Sequence, residues 1–96
     1  LHSLRTWKFV AAFLGGEGLT HSGITNSHEE IAAFQRAVVR RTTVPYFCLD
    51  ATKLGRNTPH RVVSWTKSVH LITDATEAGL KTAGIPLRRH PLVFTS

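Results

Sequence analysis

Asp50, Lys53, Gly55 and Arg56 fall within seven consecutive residues, in the run LDATKLGR at positions 49–56. The Asp50 carboxylate can accept hydrogen bonds from sugar hydroxyls, and the Lys53 ammonium can meet a phosphate as a point charge. Gly55 permits a tight turn between the charged groups. The same spacing also makes a local ion pair that only holds a loop, so on the residues alone both readings stand. Catalysis has nominal candidates in Asp50, Asp74, Glu29 and Glu30, each a carboxylate that could serve as a base, but nothing in their spacing selects one. Metal chemistry lacks its pattern, because His2, His21, His28, His60, His70 and His90 include no i, i+4 pair and Cys48 is the one cysteine beside them. Neither a G-x-x-x-x-G-K-[ST] loop nor a G-x-S-x-G elbow occurs, and Gly15, Gly16, Glu17 and Gly18 do not form a G-x-G-x-x-G fingerprint. No metal and no organic cofactor is expected.

The elements that must position these residues are readable from hydrophobic patterning. The run FVAAFL (9–14), closed by Gly15 and Gly16, is too short for a helix and predicts a strand buried on both faces. Residues 15–26, rich in Gly, Thr, Ser and Asn, predict a loop. Ser27 and Glu30 have the spacing of a capping box, and Ile31, Phe34 and Val38 recur as an apolar stripe opposite Arg36 and Arg40, which predicts a helix ending near Thr42. VPYFCL (44–49) predicts a second strand, with Pro45 near its start and Cys48 as a small buried hydrophobe. A polar loop and a short segment around Val62 and Val63 lead to a third strand, VHLIT (69–73). Asp74 is placed to cap a short helix carrying a Glu77–Lys81 pair and stopping at Gly84, and residues 85–87 offer one more strand. Strands alternating with helices give the α/β class, a mostly parallel sheet with helices on its faces. In such sheets ligands bind just beyond the carboxyl ends of the strands, where Asp50 and Asp74 both fall.

The 96 residues, 42% of them hydrophobic, suffice for one core and therefore for a single module over 1–96. No run reaches the roughly 20 apolar residues of a membrane helix, and the first residues lack a signal-peptide layout. A soluble, cytoplasmic protein with no membrane partner is expected. The net charge of +6 invites a nucleic-acid reading. Arg36, Arg40 and Arg41 share the predicted helix, while Lys53, Arg56, Arg61, Lys67, Arg88 and Arg89 are spread through loops and strand ends. With no zinc-finger spacing and no aromatic pair to stack bases, a basic nucleic-acid-binding module is an alternative resting on charge alone. Trp7 and Trp65 read as core or interface anchors. The chain starts without Met and with a strand-like run almost at once, so a piece of a longer protein is expected. A sheet cut in this way leaves an open strand edge and favours association between copies.

LDATKLGR, then HRV, then LITDA, preceded in order by FLGGEG and GITNSHEEIAAFQRA, resembles the signature of the effector-sensing domain of DeoR-type bacterial transcription regulators. The resemblance covers about residues 9–84. It implies a three-layer α/β/α fold akin to ribose-phosphate isomerase, glucosamine-phosphate deaminase and CoA transferases. It also implies that the chain senses a phosphorylated sugar or related metabolite, with a phosphosugar isomerase- or deaminase-like enzyme fragment as the alternative. Matched by position, Asp50, Lys53, Gly55 and Arg56 fall on the signature loop, Asp74 on its ITD aspartate, and Thr25 and Glu30 on the loop-and-helix motif. These residues are expected to contact the ligand, and none is expected to be catalytic. Leu49, Leu54 and the pair Phe34 and Gln35 depart from the residues usual in the family. The resemblance further implies that operator DNA is held by a winged helix-turn-helix outside this chain and that the first half of the sensor domain also lies outside it; with the open strand edge, a homo-oligomer is expected.

Overall fold

The structure is a computed structural model that describes residues 8–65 and 69–86, and residues 92–94 as backbone. In chain order the elements are β1 (Phe9–Leu14), β2 (Gly18–Thr20), β3 (Gly23–Asn26), α1 (Glu29–Arg40), β4 (Thr42–Cys48), β5 (His60–Val63), β6 (His70–Thr73), α2 (Glu77–Thr82) and β7 (Leu92–Phe94). The apolar runs form a four-stranded parallel sheet in the order β1-β4-β6-β7. Pro45 sits where β4 pairs with β1 but not yet with β6, whose register begins at Tyr46. The α/β class with a parallel sheet is thus as the patterning predicts.

Side-chain alternation in the paired registers puts Phe47 and Leu71 on one face and Phe13, Tyr46 and His70 on the other. The first face makes the core. Phe47 and Leu71 meet Ala32 and Val39 of α1, Leu80 of α2, and Leu19 and Ile24 from a second, antiparallel sheet of order β2-β3-β5. Trp65 joins this cluster and its indole N–H donates to the Thr20 carbonyl at 2.7 Å, so it is a core anchor. On the second face the Phe13 and Tyr46 rings stack with centroids 4.9 Å apart, and Tyr46 meets His70 at 4.8 Å. No helix covers that face among the described residues, so the helical cover expected on both faces is seen on one.

Several local expectations are corrected by tertiary context. β1 is an edge strand, with Val10 82% and Phe13 69% exposed rather than buried on both faces. Residues 15–26 fold into the β2–β3 hairpin, not a plain loop, because Leu19 and Ile24 pair across it and enter the core. The buried stripe of α1 is Ala32, Gln35, Val38 and Val39, while Ile31 (46%) and Phe34 (49%) face outward. Small Ala32 allows close approach, and Gln35 donates to the Gly15 carbonyl at 2.7 Å. The capping box does not form: α1 starts after His28, and the Ser27 N–H goes to Glu17 instead. Alternation turns Phe47 inward and leaves Cys48 exposed, not buried. Thr76, not Asp74, caps α2 by accepting from the Gly79 N–H at 3.0 Å, and no ion pair joins Glu77 to Lys81.

α2 stops where expected. The N–H groups of Gly84 and Ile85 donate to the carbonyls of Lys81 and Leu80, a closure that needs the left-handed φ of +79° that glycine adopts freely. Ile85 and Pro86 belong to no strand, and the added strand forms at Leu92–Phe94 instead. Leu87 lies outside the described residues, as do His2, Trp7, Lys67, Arg88, Arg89 and His90.

Candidate functional site

Parallel strands send their carboxyl ends to one edge of the sheet. There β1 runs into Gly15, Gly16 and Glu17, β4 into Leu49 and Asp50, and β6 into Asp74. The Leu49 N–H donates to the Ile72 carbonyl at 3.1 Å, carrying the ladder one residue past β4, so Asp50 leaves the sheet beside Asp74. The Ala51 N–H donates to Asp74 Oδ1 at 2.7 Å, and the Thr52 N–H donates to Asp50 Oδ1 at 2.9 Å. The Thr52 hydroxyl donates to that same Asp50 oxygen. Each carboxylate is pinned through one oxygen, and among the described residues the other oxygen of each has no hydrogen-bond partner. Cys48, Leu49, Asp50, Ile72, Thr73 and Asp74 line an open cleft of about 280 Å³ here.

The chain after Asp50 makes a short 3-10 turn over Ala51–Lys53, closed by N–H donation from Lys53 to the Asp50 carbonyl at 3.1 Å and from Leu54 to the Ala51 carbonyl at 3.2 Å. Gly55 follows with a φ of +73°, in the left-handed region, and its N–H ties the turn to β2 through the Leu19 carbonyl at 2.9 Å. Half-buried Lys53 and exposed Arg56 flank it.

Hydrogen bonding by the Thr52 hydroxyl holds Asp50 below the ordinary carboxylate range. Partial desolvation opposes the shift, while the Thr52 N–H and the charges of Lys53 and Arg56 reinforce it. Glu17 is lowered likewise, first by the Ser27 hydroxyl, against desolvation, then by the Ser27 N–H, His28 and Arg56. The field of Arg56 therefore reaches carboxylates at the ends of two strands, β1 and β4.

The structure brings Asp50 and Asp74 together in the cleft, with Lys53 and Arg56 on the turn that follows and close enough for their charges to act on Asp50, whereas Gly55 lines a separate depression with Thr20, His21, Ser22, Asn57 and Ala83. Thr25 and Glu30 stand apart from the cleft. Thr25 is 6% exposed on β3; its hydroxyl bonds that of Thr58, and its carbonyl accepts from the Glu17 N–H at 2.9 Å. Glu30 is exposed on the first turn of α1, beside a separate depression with His28, Glu29 and Ile31. Three rim residues escaped the sequence reading: Thr52, Cys48 and Glu17. Thr52 had a signal, since an aspartate side chain commonly accepts from the N–H two residues on. Cys48 was recoverable by counting alternation from Phe47. Glu17 had none, because its role depends on Ser27 across a hairpin.

Among the described residues no group of three or more potential metal ligands occurs, and no helix is long and apolar enough to cross a membrane. Residues 1–75 match the family model described as the DeoR C terminal sensor domain. No curated protein and no solved structure matches the chain.

Proposed function

Since the chain belongs to the family of DeoR C-terminal sensor domains, we propose that its effector is a phosphorylated sugar or closely related phosphorylated metabolite, bound at the Asp50–Asp74 rim. The observation that carries this reading is the pair of carboxylates at the ends of adjacent parallel strands, each fixed through one oxygen, with Lys53 and Arg56 on the turn that follows. The two unpartnered oxygens accept from sugar hydroxyls, and the cations meet the phosphate as a point charge and a planar fork. The site senses and does not turn over its ligand. A general base working near neutrality is raised toward that pH, whereas Asp50 is lowered, which suits a fixed acceptor.

In the full regulator a winged helix-turn-helix outside this chain holds operator DNA, and the protein works in the cytoplasm as a homo-oligomer. Among the described residues β1 is the last strand of its sheet, and that edge together with the exposed Val10 and Phe13 is a route to self-association. Sedimentation of the chain at micromolar concentration is expected to show association that Phe13→Lys weakens; a strictly monomeric wild type would remove this part of the reading.

Calorimetric titration of the full regulator with a panel of sugar phosphates and their dephosphorylated parents tests the effector class. Binding that needs the phosphate is expected. A parent sugar that binds as tightly as its phosphate would sink the assignment.

A further inference from the structure

All of the chain's carboxylates, Glu17, Glu29, Glu30, Asp50, Asp74 and Glu77, lie on segments at the carboxyl edge of the parallel sheet or at the starts of helices that leave it. The opposite, amino edge holds cations instead. α1 returns the chain there, so that Arg40 and Arg41 end the helix directly before β4. The Phe9 N–H donates to the Arg41 carbonyl at 2.7 Å, which brings Lys8 beside them. Lys8, Arg40, Arg41, Thr42 and Thr43 line an open pocket of about 210 Å³. Neither Lys8, Arg40 nor Arg41 is ion-paired among the described residues.

The plain explanation of Arg40 and Arg41 is that they offset the negative end of α1. That end carries roughly half an elementary charge, so three cations leave an excess of about 2.5 positive charges on the pocket. Helix capping therefore accounts for only a small part of the charge. The pocket is open and has room for a phosphate group. Two guanidinium forks match phosphate oxygens in pairs, Lys8 adds a point charge, and Thr43 adds an exposed hydroxyl, the Thr42 hydroxyl being committed to the Val38 carbonyl. We infer that the amino edge of the sheet is a phosphate-oxyanion site built from Lys8, Arg40, Arg41 and Thr43. It is separate from the Asp50–Asp74 cleft and stands whether or not that cleft binds a sugar phosphate.

The oxyanion could be free phosphate or a phosphate of a nucleic-acid backbone, and two probes separate these sources. Amide chemical shifts of the chain are followed in phosphate-free buffer during titration with inorganic phosphate and, separately, with a mixed-sequence DNA duplex. Shifts at residues 8 and 40–43 are expected with at least one probe, and the variant carrying Lys8→Gln and Arg40→Gln should weaken that response about tenfold or more. A response to free phosphate assigns a small-anion site. A response to the duplex alone assigns backbone contact, insensitive to sequence, with a log–log salt slope of about −2.7 for three neutralised phosphates. If neither probe moves these amides, or if the double variant responds as the wild type does, the inference is wrong. Should the double variant lose its dispersed spectrum, the wild-type map still decides, because shifts confined to residues 50–56 place the anion at the other edge and overturn the proposal.

Discussion

At the carboxyl edge of the parallel sheet, carboxylates are held by neighbours: Asp50 by Thr52, Asp74 by the Ala51 N–H, Glu17 by Ser27, and Glu29 by Arg36 and His60. At the amino edge Lys8, Arg40 and Arg41 meet no carboxylate among the described residues. The difference follows from chain direction. Every loop leaving a parallel strand departs from the carboxyl edge, and loops there carry the polar side chains and exposed N–H groups that can orient an acid. The amino edge receives helix ends, where cations are favoured by the dipole and need no carboxylate. One edge is thus built of acceptors fixed in place, with cations added on a turn, and the other of cations alone. On the two proposals above, selectivity for a hydroxyl-bearing ligand would belong to the first edge and simple affinity for an oxyanion to the second.

The sharpest way to break this division is Lys53→Ala in the full regulator. Losing a charge-assisted hydrogen bond of about 1.5–3 kcal/mol should cut effector affinity about tenfold or more. The thermal midpoint should stay nearly constant, since Lys53 forms no ion pair among the described residues. Arg40→Gln should leave effector affinity untouched. Calorimetric titration of both variants decides: equal losses would mean the two edges do not act separately.

Cys48 offers a gentler probe of the same edge, because it is exposed and lines the cleft. Alkylation of the native protein by iodoacetamide should go to completion without denaturant and slow several-fold with saturating effector, read by mass spectrometry. An unchanged rate with effector bound would move the ligand away from the end of β4. Smaller again is the effect of Arg40→Gln on stability. Removing one cation from the end of α1 should cost about 0.5 kcal/mol, or about 2–4 °C in thermal midpoint for a domain of this size. No change on thermal scanning in phosphate-free buffer would show that the helix end does not need Arg40.

The carboxyl edge was the more legible of the two in the sequence. Strand positions followed from short apolar runs, and a parallel sheet then fixes where their ends lie, so Asp50 and Asp74 could be paired without seeing a contact. The 50–56 turn is local and its glycine and charges could be read in place. What failed needed knowledge of neighbours. FVAAFL reads alike for a central and an edge strand, and neither its edge place in the order β1-β4-β6-β7 nor the lack of helical cover, among the described residues, over the face of Phe13 shows in the run itself. The apolar periodicity of α1 weighted Ile31 and Phe34 by size, whereas packing under sheet and hairpin selected Ala32 and Gln35. Thr25, matched by position to the family's motif, has a hydroxyl partner in Thr58, 33 residues away, which the sequence order hides. The basic pocket was invisible because Lys8 and Arg41 become neighbours only through the pairing of β1 beside β4.

The smallest expected effect concerns how Asp50 is held. Its carboxyl lies below the ordinary range chiefly because the Thr52 hydroxyl donates to it, so Thr52→Val should move its titration upward, toward the ordinary value near 3.9. Carboxyl carbon chemical shifts followed against pH measure this directly. The sign of the linked stability is fixed as well. A carboxylate lowered in the folded state stabilises that state above its unfolded value, and the contribution is lost as pH falls through the folded value. Wild type and Thr52→Val should therefore differ slightly at neutral pH, with the variant less stable, and converge in acid below the folded titration. Asp50 is exposed, so solvent screening keeps the difference small. An Asp50 titration that stays in place in Thr52→Val would assign its lowering to the Thr52 N–H, which the variant keeps, and to Lys53 and Arg56. The part of the lowering due to the cations that the proposed effector must share would couple effector binding to Asp50 ionisation.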